Sequence, residues 1–277
     1  MTNVSNGASH EPCRVCGGSL RPAFQVTVLG RIQATYCICT HCHSLIVPAP
    51  HWLNQSYAVE LRPNPDFGML RRTLFVHRTL RRMRFVGLFP KPCRTLDYGS
   101  GTGLLVRLLL DQGYDTWGYD PLATPIAAED RVVTWLPPGP FDLITAIEVI
   151  EHLCDPVEAL QRLRALLAPR GVMLLSTELF DRAKHDASWH YLTPEHGQHV
   201  TMLSREGLHE AAARAGLRWV SSLPFDAPDP QMPSVLRPLD FLHLLVHREQ
   251  PLSAWKLWRL RARQQRGERR ALRDRYV

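Results

Sequence analysis

Residues 95–103, Thr-Leu-Asp-Tyr-Gly-Ser-Gly-Thr-Gly, constrain the fold of this chain more than any other stretch. Apolar residues lead into Asp97, glycines stand at positions 99, 101 and 103, and a long apolar run begins at Leu104. This order predicts a strand, a tight turn and the start of a helix. Glycines carry no Cβ atoms and let a ligand lie against the backbone, while the helix end offers free N–H groups and a positive dipole. A nucleotide-like cofactor is the expected occupant.

The spacing of the glycines narrows the choice of cofactor. Dinucleotide-binding folds use Gly-x-Gly-x-x-Gly, whereas this turn reads Gly-x-Gly-x-Gly after an acid. The next predicted strand ends at Asp120, about 20 residues past the glycines, where a carboxylate can accept hydrogen bonds from ribose hydroxyls. The alternative is a glycine-rich turn that binds no ligand.

Together the turn and the acid closely resemble the first two motifs of the class I methyltransferases that use S-adenosylmethionine (SAM). The residues that match the first motif are Asp97, Gly99, Ser100, Gly101 and Gly103, and Asp120 matches the second. The resemblance implies that these residues bind SAM.

Further segments along the chain fit the same fold. Residues 141–147 form a continuous apolar run typical of a strand buried on both faces, and residues 172–177 repeat the pattern. An amphipathic helix is predicted over residues 157–168 between them. Strands and helices in succession imply right-handed crossovers. We therefore expect an α/β fold with a Rossmann-like, doubly wound and mostly parallel sheet.

The stretch that follows residue 147 strengthens the resemblance. It contains Glu148 and then the sequence Glu-His-Leu-x-Asp-Pro, similar to the continuation of the fourth strand in the methyltransferase-23-like subgroup. The resemblance implies that Glu148 lies beside the methionine part of SAM. One departure concerns the adenine, because relatives place an acid after the third strand where this chain has Trp135. The indole either contacts the adenine ring or fills core.

Two cysteine pairs near the N-terminus predict a metal site. Cys13 and Cys16 stand before two glycines, and Cys39 and Cys42 form the second pair. Two such pairs can close a tetrahedral, structural zinc site in a small ribbon. A disulfide framework is the alternative, but the odd total of seven cysteines and the lack of an apparent secretory leader argue against it. Substitute ligands are also available, namely Cys37, His41 and His43.

Composition and charge limit the remaining choices. No apolar stretch approaches the ~20 residues that span a bilayer, so we expect a soluble, cytoplasmic chain without a transmembrane segment. The net charge of +7 comes almost entirely from arginine. One basic segment is a predicted helix over residues 68–88, whose apolar side would comprise Leu70, Leu74, Leu80 and Phe85. A second basic run, residues 251–277, is either a solvated helix or a surface for nucleic acid, an anionic membrane or an acidic protein.

These observations divide the chain into four predicted regions. They are a zinc-ribbon module (1–50), a helical linker that covers the cofactor (51–90), a SAM-binding core (91–223), and a loop with a basic helical C-terminal extension (224–277).

The loop over residues 188–200 is the expected place for acceptor chemistry, because it leaves the carboxyl end of the sheet and is rich in ionisable side chains. It resembles the Trp-x-Tyr-x-x-Pro-Glu-His-Gly-Gln-His segment of a bacterial subgroup that includes zinc-bearing enzymes acting on sugars, glycans or secondary-metabolite precursors. In related deoxysugar C-methyltransferases a Glu-His pair in this loop supports proton abstraction. The resemblance implies that His196 is the base and that Glu195 orients it.

Other histidines offer alternatives for the same chemistry. His152 is the second candidate for the base, or else a structural residue that closes the cofactor pocket. His190 and His199 are candidates for scaffolding, and the two could form a further metal site with His196.

Two function classes therefore remain open. In the first, the chain is a SAM-dependent methyltransferase acting on a small-molecule acceptor such as a sugar, glycan or secondary-metabolite precursor. In the second, the zinc ribbon and the arginine-rich tail direct the chain to RNA or protein, which it methylates or merely binds. The ribbon lacks the exposed aromatics that single-strand stacking needs, which favours the first class.

Overall fold

A computed structural model describes residues 11–58, 67–222, 242–253 and 256. The strands are, in chain order, β1 (Leu20–Val28), β2 (Ile32–Cys39), β3 (Leu45–Ile46), β4 (Arg94–Tyr98), β5 (Asp115–Tyr119), β6 (Val132–Val133), β7 (Phe141–Ile147), β8 (Leu167–Ser176), β9 (Thr201–Met202), β10 (Leu217–Ser222) and β11 (Leu242–His247). The helices are α1 (Leu53–Ala58), α2 (Phe67–Phe85), α3 (Leu104–Leu110), α4 (Pro156–Leu166) and α5 (Arg205–Arg214), with single 3₁₀ turns at Ile150–His152 and His190–Leu192.

The chain separates into two compact units. The first comprises Met1–Glu60, Glu148–Arg162 and Thr177–Gly216, and the second comprises Leu61–Ile147, Leu163–Ser176 and Leu217–Val277. Each unit is built from segments that are distant in sequence. Among the described residues, no helix combines the length and apolar character needed to cross a membrane.

A seven-stranded sheet forms the second unit, in the order β10-β11-β8-β7-β4-β5-β6. β4 pairs in parallel with both β5 and β7, and β7 pairs in parallel with β8. The chain thus runs outward from β4 in both directions, which confirms the Rossmann-like, doubly wound and mostly parallel sheet. In such sheets the crevice for ligands opens beyond the carboxyl ends of the strands, where the order reverses.

Strand β11 lies beyond residue 223, where the SAM-binding core was predicted to end, and yet it belongs to this sheet. Residues 242–247 were expected in a helical extension, but they pair antiparallel with β8 on one side and β10 on the other. Leu242, Leu244 and Val246 are fully buried in the sheet core. A strand with this burial belongs to the sheet, so residues 242–247 are not part of a helical extension. The rest of the predicted basic tail lies outside the described residues, apart from 248–253 and 256.

Helix α2 buries a different face from the one predicted. Val76, Leu80 and Met83 are fully buried in the core of the second unit. Of the expected apolar side, Leu70, Leu74 and Phe85 are instead exposed, and only Leu80 packs inward. The reason is helical geometry, since each residue advances by about 100° and Phe85 therefore lies on a different face from Leu80.

A four-stranded sheet in the order β1-β2-β3-β9 belongs to the first unit. β1 and β2 form an antiparallel hairpin, and β3 pairs with β9 through Leu45 opposite Met202. The core beside it joins Tyr36 and Trp52 to Phe180 and Tyr191. The N-terminal ribbon is thus packed with residues 177–216 and does not stand alone as the predicted 1–50 module.

Candidate functional site

The glycine turn after β4 adopts backbone angles that side chains rarely accept. Gly99, Gly101 and Gly103 have φ values of 73°, 54° and 80°. A Cβ on Gly101 would meet nothing within 4 Å, so this glycine borders open space. A Cβ on Gly103 would lie 3.0 Å from Val132, so that glycine allows close packing on β6. The turn therefore leaves its backbone exposed to a ligand at Gly101, as the sequence predicts.

Asp120 lies next to this turn at the end of β5. Its Oδ2 accepts a hydrogen bond from the Gly101 N–H at 2.9 Å, and its Oδ1 accepts from the N–H groups of Leu122 and Ala123 at 2.9 Å each. These bonds hold the carboxylate rigidly beside the open side of the turn. Each carboxylate oxygen has two lone pairs, so Oδ1 is already fully used, whereas Oδ2 can still accept one further hydrogen bond from a hydroxyl.

Asp97 and Ser100 lie deeper in the same turn. Asp97 is buried and its Oδ1 accepts a hydrogen bond from Thr145 at 2.7 Å. Burial raises the pKa of the Asp97 carboxyl to about 7, with the nearby charge of Asp120 acting in the same direction. The Ser100 hydroxyl is buried and makes no hydrogen bond with any residue that the structure describes. An open glycine after β4 and an anchored acid after the neighbouring β5 fit a polar, hydroxyl-bearing cofactor.

Trp135 follows β6, which is only two residues long. Its side chain is exposed, and its ring lies 6.1 Å from that of Trp117 at an angle of 49°. Trp135 therefore does not fill core, which was one of the two interpretations. Contact with adenine remains a prediction.

The four predicted cysteines meet in one cluster. The Sγ atoms of Cys13 and Cys42 are 3.7 Å apart, those of Cys16 and Cys39 are 3.4 Å apart, and all four lie within 4.8 Å of one another. Thiolates bound to one zinc ion at ~2.3 Å in tetrahedral geometry would stand ~3.8 Å apart. A disulfide needs sulfurs ~2.05 Å apart. The spacing therefore fits a zinc ion and not a pair of disulfides.

Backbone groups around the cluster suit negatively charged sulfur. N–H groups of Gly18 and His41 donate to the Sγ atoms of Cys16 and Cys39 at 3.4 Å each. Gly18 is needed here because a Cβ on it would lie 3.1 Å from the Cys39 sulfur. The substitute ligands are not part of this cluster: Cys37 is buried outside it, and His41 and His43 are exposed.

The loop over residues 188–200 is packed more tightly than its many ionisable side chains suggest. Trp189, Tyr191 and Leu192 are buried in the core of the first unit. The Glu195 and His196 side chains point outward, 65% and 60% exposed, with 4.0 Å between Oε1 and Nε2. At that distance the carboxylate makes no hydrogen bond that could orient the imidazole.

His152, the second candidate for the base, lies close to Glu151 and His199. Donor atoms of Glu151, His152 and His199 lie within 4.8 Å of one another. The rings of His152 and His199 meet edge to face at 4.7 Å, and Nδ1 of His152 lies 3.4 Å from the Tyr57 hydroxyl. Burial, with the charges of His199 and His196 acting in the same direction, lowers the pKa of the His152 imidazole to about 3. The imidazole of this partly buried histidine is therefore neutral at physiological pH.

A group of carboxylates surrounds the buried Tyr191 in the first unit. The Tyr191 hydroxyl lies 2.6 Å from Oε1 of Glu151 and 3.3 Å from Oε2 of Glu148. Burial raises the pKa of both Glu151 and Glu178, and the charge of Glu148 adds to the effect. Glu148, directly after β7, has φ 55°, a strained angle for a residue with a Cβ.

Sequence reasoning missed Glu151, Tyr191 and Tyr57 as site residues. Glu151 directly precedes His152, so its place in the Glu-His pair could have identified it. No sequence signal indicates that His199 would meet that pair. The metal set considered from the sequence, with His190, His196 and His199, does not form among the described residues. His190 instead lies 3.2 Å from Glu178.

Comparisons with known proteins agree with this geometry. The sequence profile of a family described as "Methyltransferase domain" matches residues 71–222. The "Ubiquinone biosynthesis O-methyltransferase" of Histophilus somni (strain 2336) is 31% identical over 136 residues, which cover 42% of this chain and 56% of that protein. Its namesake from Rhodopseudomonas palustris (strain BisB5) is 38% identical over 99 residues, 30% of this chain and 39% of that protein. The chain thus spans about half, or less, of these relatives.

Solved structures give a more distant likeness. The "Mitomycin 7-O-methyltransferase MmcR" is 16% identical with a TM-score of 0.45, and the match covers 70% of this chain and 59% of that one.

Proposed function

Because the chain belongs to the class I methyltransferase family whose domain matches residues 71–222, we propose that it transfers a methyl group from SAM to a small-molecule acceptor. The acceptor class that we favour is a hydroxyl-bearing sugar, glycan or secondary-metabolite precursor. The curated relatives carry the name of O-methyltransferases, which supports a hydroxyl as the methylated group.

One observation carries the proposal, namely the contact between Asp120 and Gly101 at the carboxyl ends of β4 and β5. The residues proposed for SAM are Asp97, Gly99, Ser100, Gly101, Gly103, Asp120, Trp135 and Glu148. When bound, SAM supplies an electrophilic methyl group on a sulfonium. The chain then has to align the acceptor with that methyl group and take up the proton that the acceptor hydroxyl releases.

His196 is the residue that we propose as the proton acceptor. Its exposed imidazole can be reached by an acceptor from solvent, and histidine is the side chain that most often serves as a general base. An orienting role for Glu195 does not fit, because 4.0 Å separates its Oε1 from Nε2 of His196. His152 is partly buried and its imidazole has a lowered pKa, so it suits a positioning role better than that of a base.

The zinc ion is proposed to be structural, held by Cys13, Cys16, Cys39 and Cys42. Four protein ligands leave no open coordination position.

Calorimetry with SAM and with its demethylated product tests the cofactor assignment. Asp120→Ala should weaken binding by ~1–3 kcal/mol, because ribose hydroxyls lose the carboxylate that would accept their hydrogen bonds. Asp115→Ala is the matched control, since this acid begins the same strand and pairs with Arg94 and Arg131 at the other end. Equal affinity in both variants would remove Asp120 from the site, and no SAM binding by the wild type would overturn the function.

A further inference from the structure

We propose that Glu151, His152 and His199 form a second metal site, distinct from the four cysteines, that binds a divalent transition metal such as Zn²⁺. Two imidazoles and one carboxylate are a donor set that zinc and related ions bind, and with three protein ligands at least one coordination position stays open.

The geometry of the three donors supports this site. Their ligand atoms lie within 4.8 Å of one another. Donors at ~2.0–2.2 Å from one zinc ion stand ~3–3.5 Å apart, so small side-chain rotations suffice to close the site. The imidazoles meet edge to face, so the two rings point in different directions as ligands of one ion must.

Backbone contacts fix the two chain segments that carry the donors. The Val200 N–H donates to the Glu151 carbonyl oxygen at 2.9 Å, and the Thr201 hydroxyl donates to the Leu153 carbonyl oxygen at 2.8 Å. These bonds join the 3₁₀ turn at Ile150–His152 to the segment that carries His199. The site is therefore assembled by the fold before any ion arrives.

A hydrogen bond also sets the protonation of His199 as a metal requires. Nδ1 of His199 lies 2.5 Å from the Tyr191 carbonyl oxygen, which can only accept, so Nδ1 carries the proton and Nε2 the lone pair. Nδ1 of His152 lies 3.4 Å from the Tyr57 hydroxyl, which can either donate to this nitrogen or accept from it. Metal-bound histidines are held in this manner by their second nitrogen.

Glu151 gives the independent observation. The residue is fully buried, and its Oε1 accepts from Tyr191 at 2.6 Å. Its Oε2 is also buried and has no hydrogen-bond partner among the described residues. A buried carboxylate oxygen without a partner is costly, and a cation between this oxygen and two neutral imidazoles would satisfy it. The open coordination position would take water or an oxygen atom of an acceptor.

Titration with Co²⁺ distinguishes this site from the cysteine cluster, because cobalt bound to thiolates absorbs strongly in the near ultraviolet and cobalt bound to N and O ligands does not. Wild-type protein whose cysteine site is filled with Zn²⁺ should bind one further equivalent of Co²⁺ and gain only weak visible bands. Glu151→Gln and His199→Gln should each lose that equivalent and keep the zinc. His209→Gln, an exposed histidine on α5, should keep both metals.

Two results would overturn the proposal. Zinc-filled wild-type protein might take up no Co²⁺ at micromolar concentration, a test that depends on no variant. Alternatively, folded Glu151→Gln and His199→Gln proteins might both retain the second equivalent. Circular dichroism on each variant establishes that it is folded before its metal content is compared, and neither readout requires methyl transfer.

Discussion

At the scale of single residues, the buried carboxyl of Asp97 links stability to pH. Its folded-state pKa of about 7 lies above the ordinary value of 3.8, because burial disfavours the charged form. The folded state therefore holds a proton that the unfolded state has released across this interval. The stabilisation is complete at low pH and is lost as the pH rises to about 7.

Asp97→Asn should remove this pH dependence. Between pH 5 and 6, well inside the interval from 3.8 to about 7, the free energy of unfolding of the wild type should fall by about 1.4 kcal/mol per pH unit from this residue alone. The variant keeps a partner for Thr145 but has no proton to release, so its slope should be shallower by that amount. Urea unfolding of both proteins across this range measures the difference. Parallel slopes would mean that Asp97 titrates normally.

Gly101 offers a test that separates binding from backbone strain. Gly101→Ala puts a Cβ into open space beside the turn, so it should cost about 1–2 kcal/mol of stability through its positive φ and also block SAM. Gly113→Ala is the control, because Gly113 has φ +75° and nothing within 4 Å of its Cβ position. Both variants should lose similar stability in thermal unfolding. Calorimetry should find SAM binding lost only in Gly101→Ala.

His196→Ala tests the proposed proton acceptor. SAM affinity should stay nearly unchanged, while turnover should fall by ~10²–10⁴-fold, the usual contribution of a general base. His209→Ala, at an exposed position of α5, should keep full turnover. If His196→Ala turned over at the wild-type rate across pH 6–9, the proton would be accepted elsewhere.

At the scale of elements, we expect the proposed zinc ion and the pairing with β9 to stabilise the N-terminal hairpin together. Cys13→Ser should abolish zinc binding, because a three-thiolate site loses the geometry that holds the ion. Cys37→Ala should keep the zinc, since this buried cysteine lies outside the cluster. Metal analysis measures both outcomes, and zinc at full occupancy in Cys13→Ser would exclude that residue as a ligand.

The same variant should loosen more than the ribbon. The predicted ribbon is not separate from the rest of its unit, because β3 pairs with β9, and Trp52 packs in one core with Phe180. We expect faster hydrogen exchange in β2, β3 and β9 of Cys13→Ser. Protection in β9 equal to that of Cys37→Ala would show that the ribbon is independent after all.

What sequence could predict here follows from the range of the interactions. The glycine turn, Asp120 at the end of β5 and the cysteine pairs are local patterns, and the structure places each as expected. β11, the β3–β9 pairing and the meeting of Glu151 with His199 depend on residues far apart in the chain. Helix α2 shows a third case. Apolar residues occur on several of its faces, so its sequence alone does not indicate which face is buried in the core.

At the scale of the whole molecule, the net charge of +7 bears on the nucleic-acid alternative. A basic chain is expected to bind generic RNA weakly at low salt, and phosphate contacts of this kind weaken steeply as ionic strength rises. With labelled SAM, a mixture of RNA and small metabolites should be labelled in the metabolite fraction at physiological salt. Label in RNA that persists in 200 mM salt would favour the alternative.

The pairing of Ile46 with Thr201 sets an order of events during protein synthesis. More than half of the chain separates these two residues, so the ribosome releases β1, β2 and β3 long before their last strand exists. All four cysteines emerge with the first 42 residues. A zinc ion bound by them as proposed would hold the nascent hairpin closed throughout the interval in which the edge of β3 has no partner strand, and in that interval an open strand edge is able to pair with other chains.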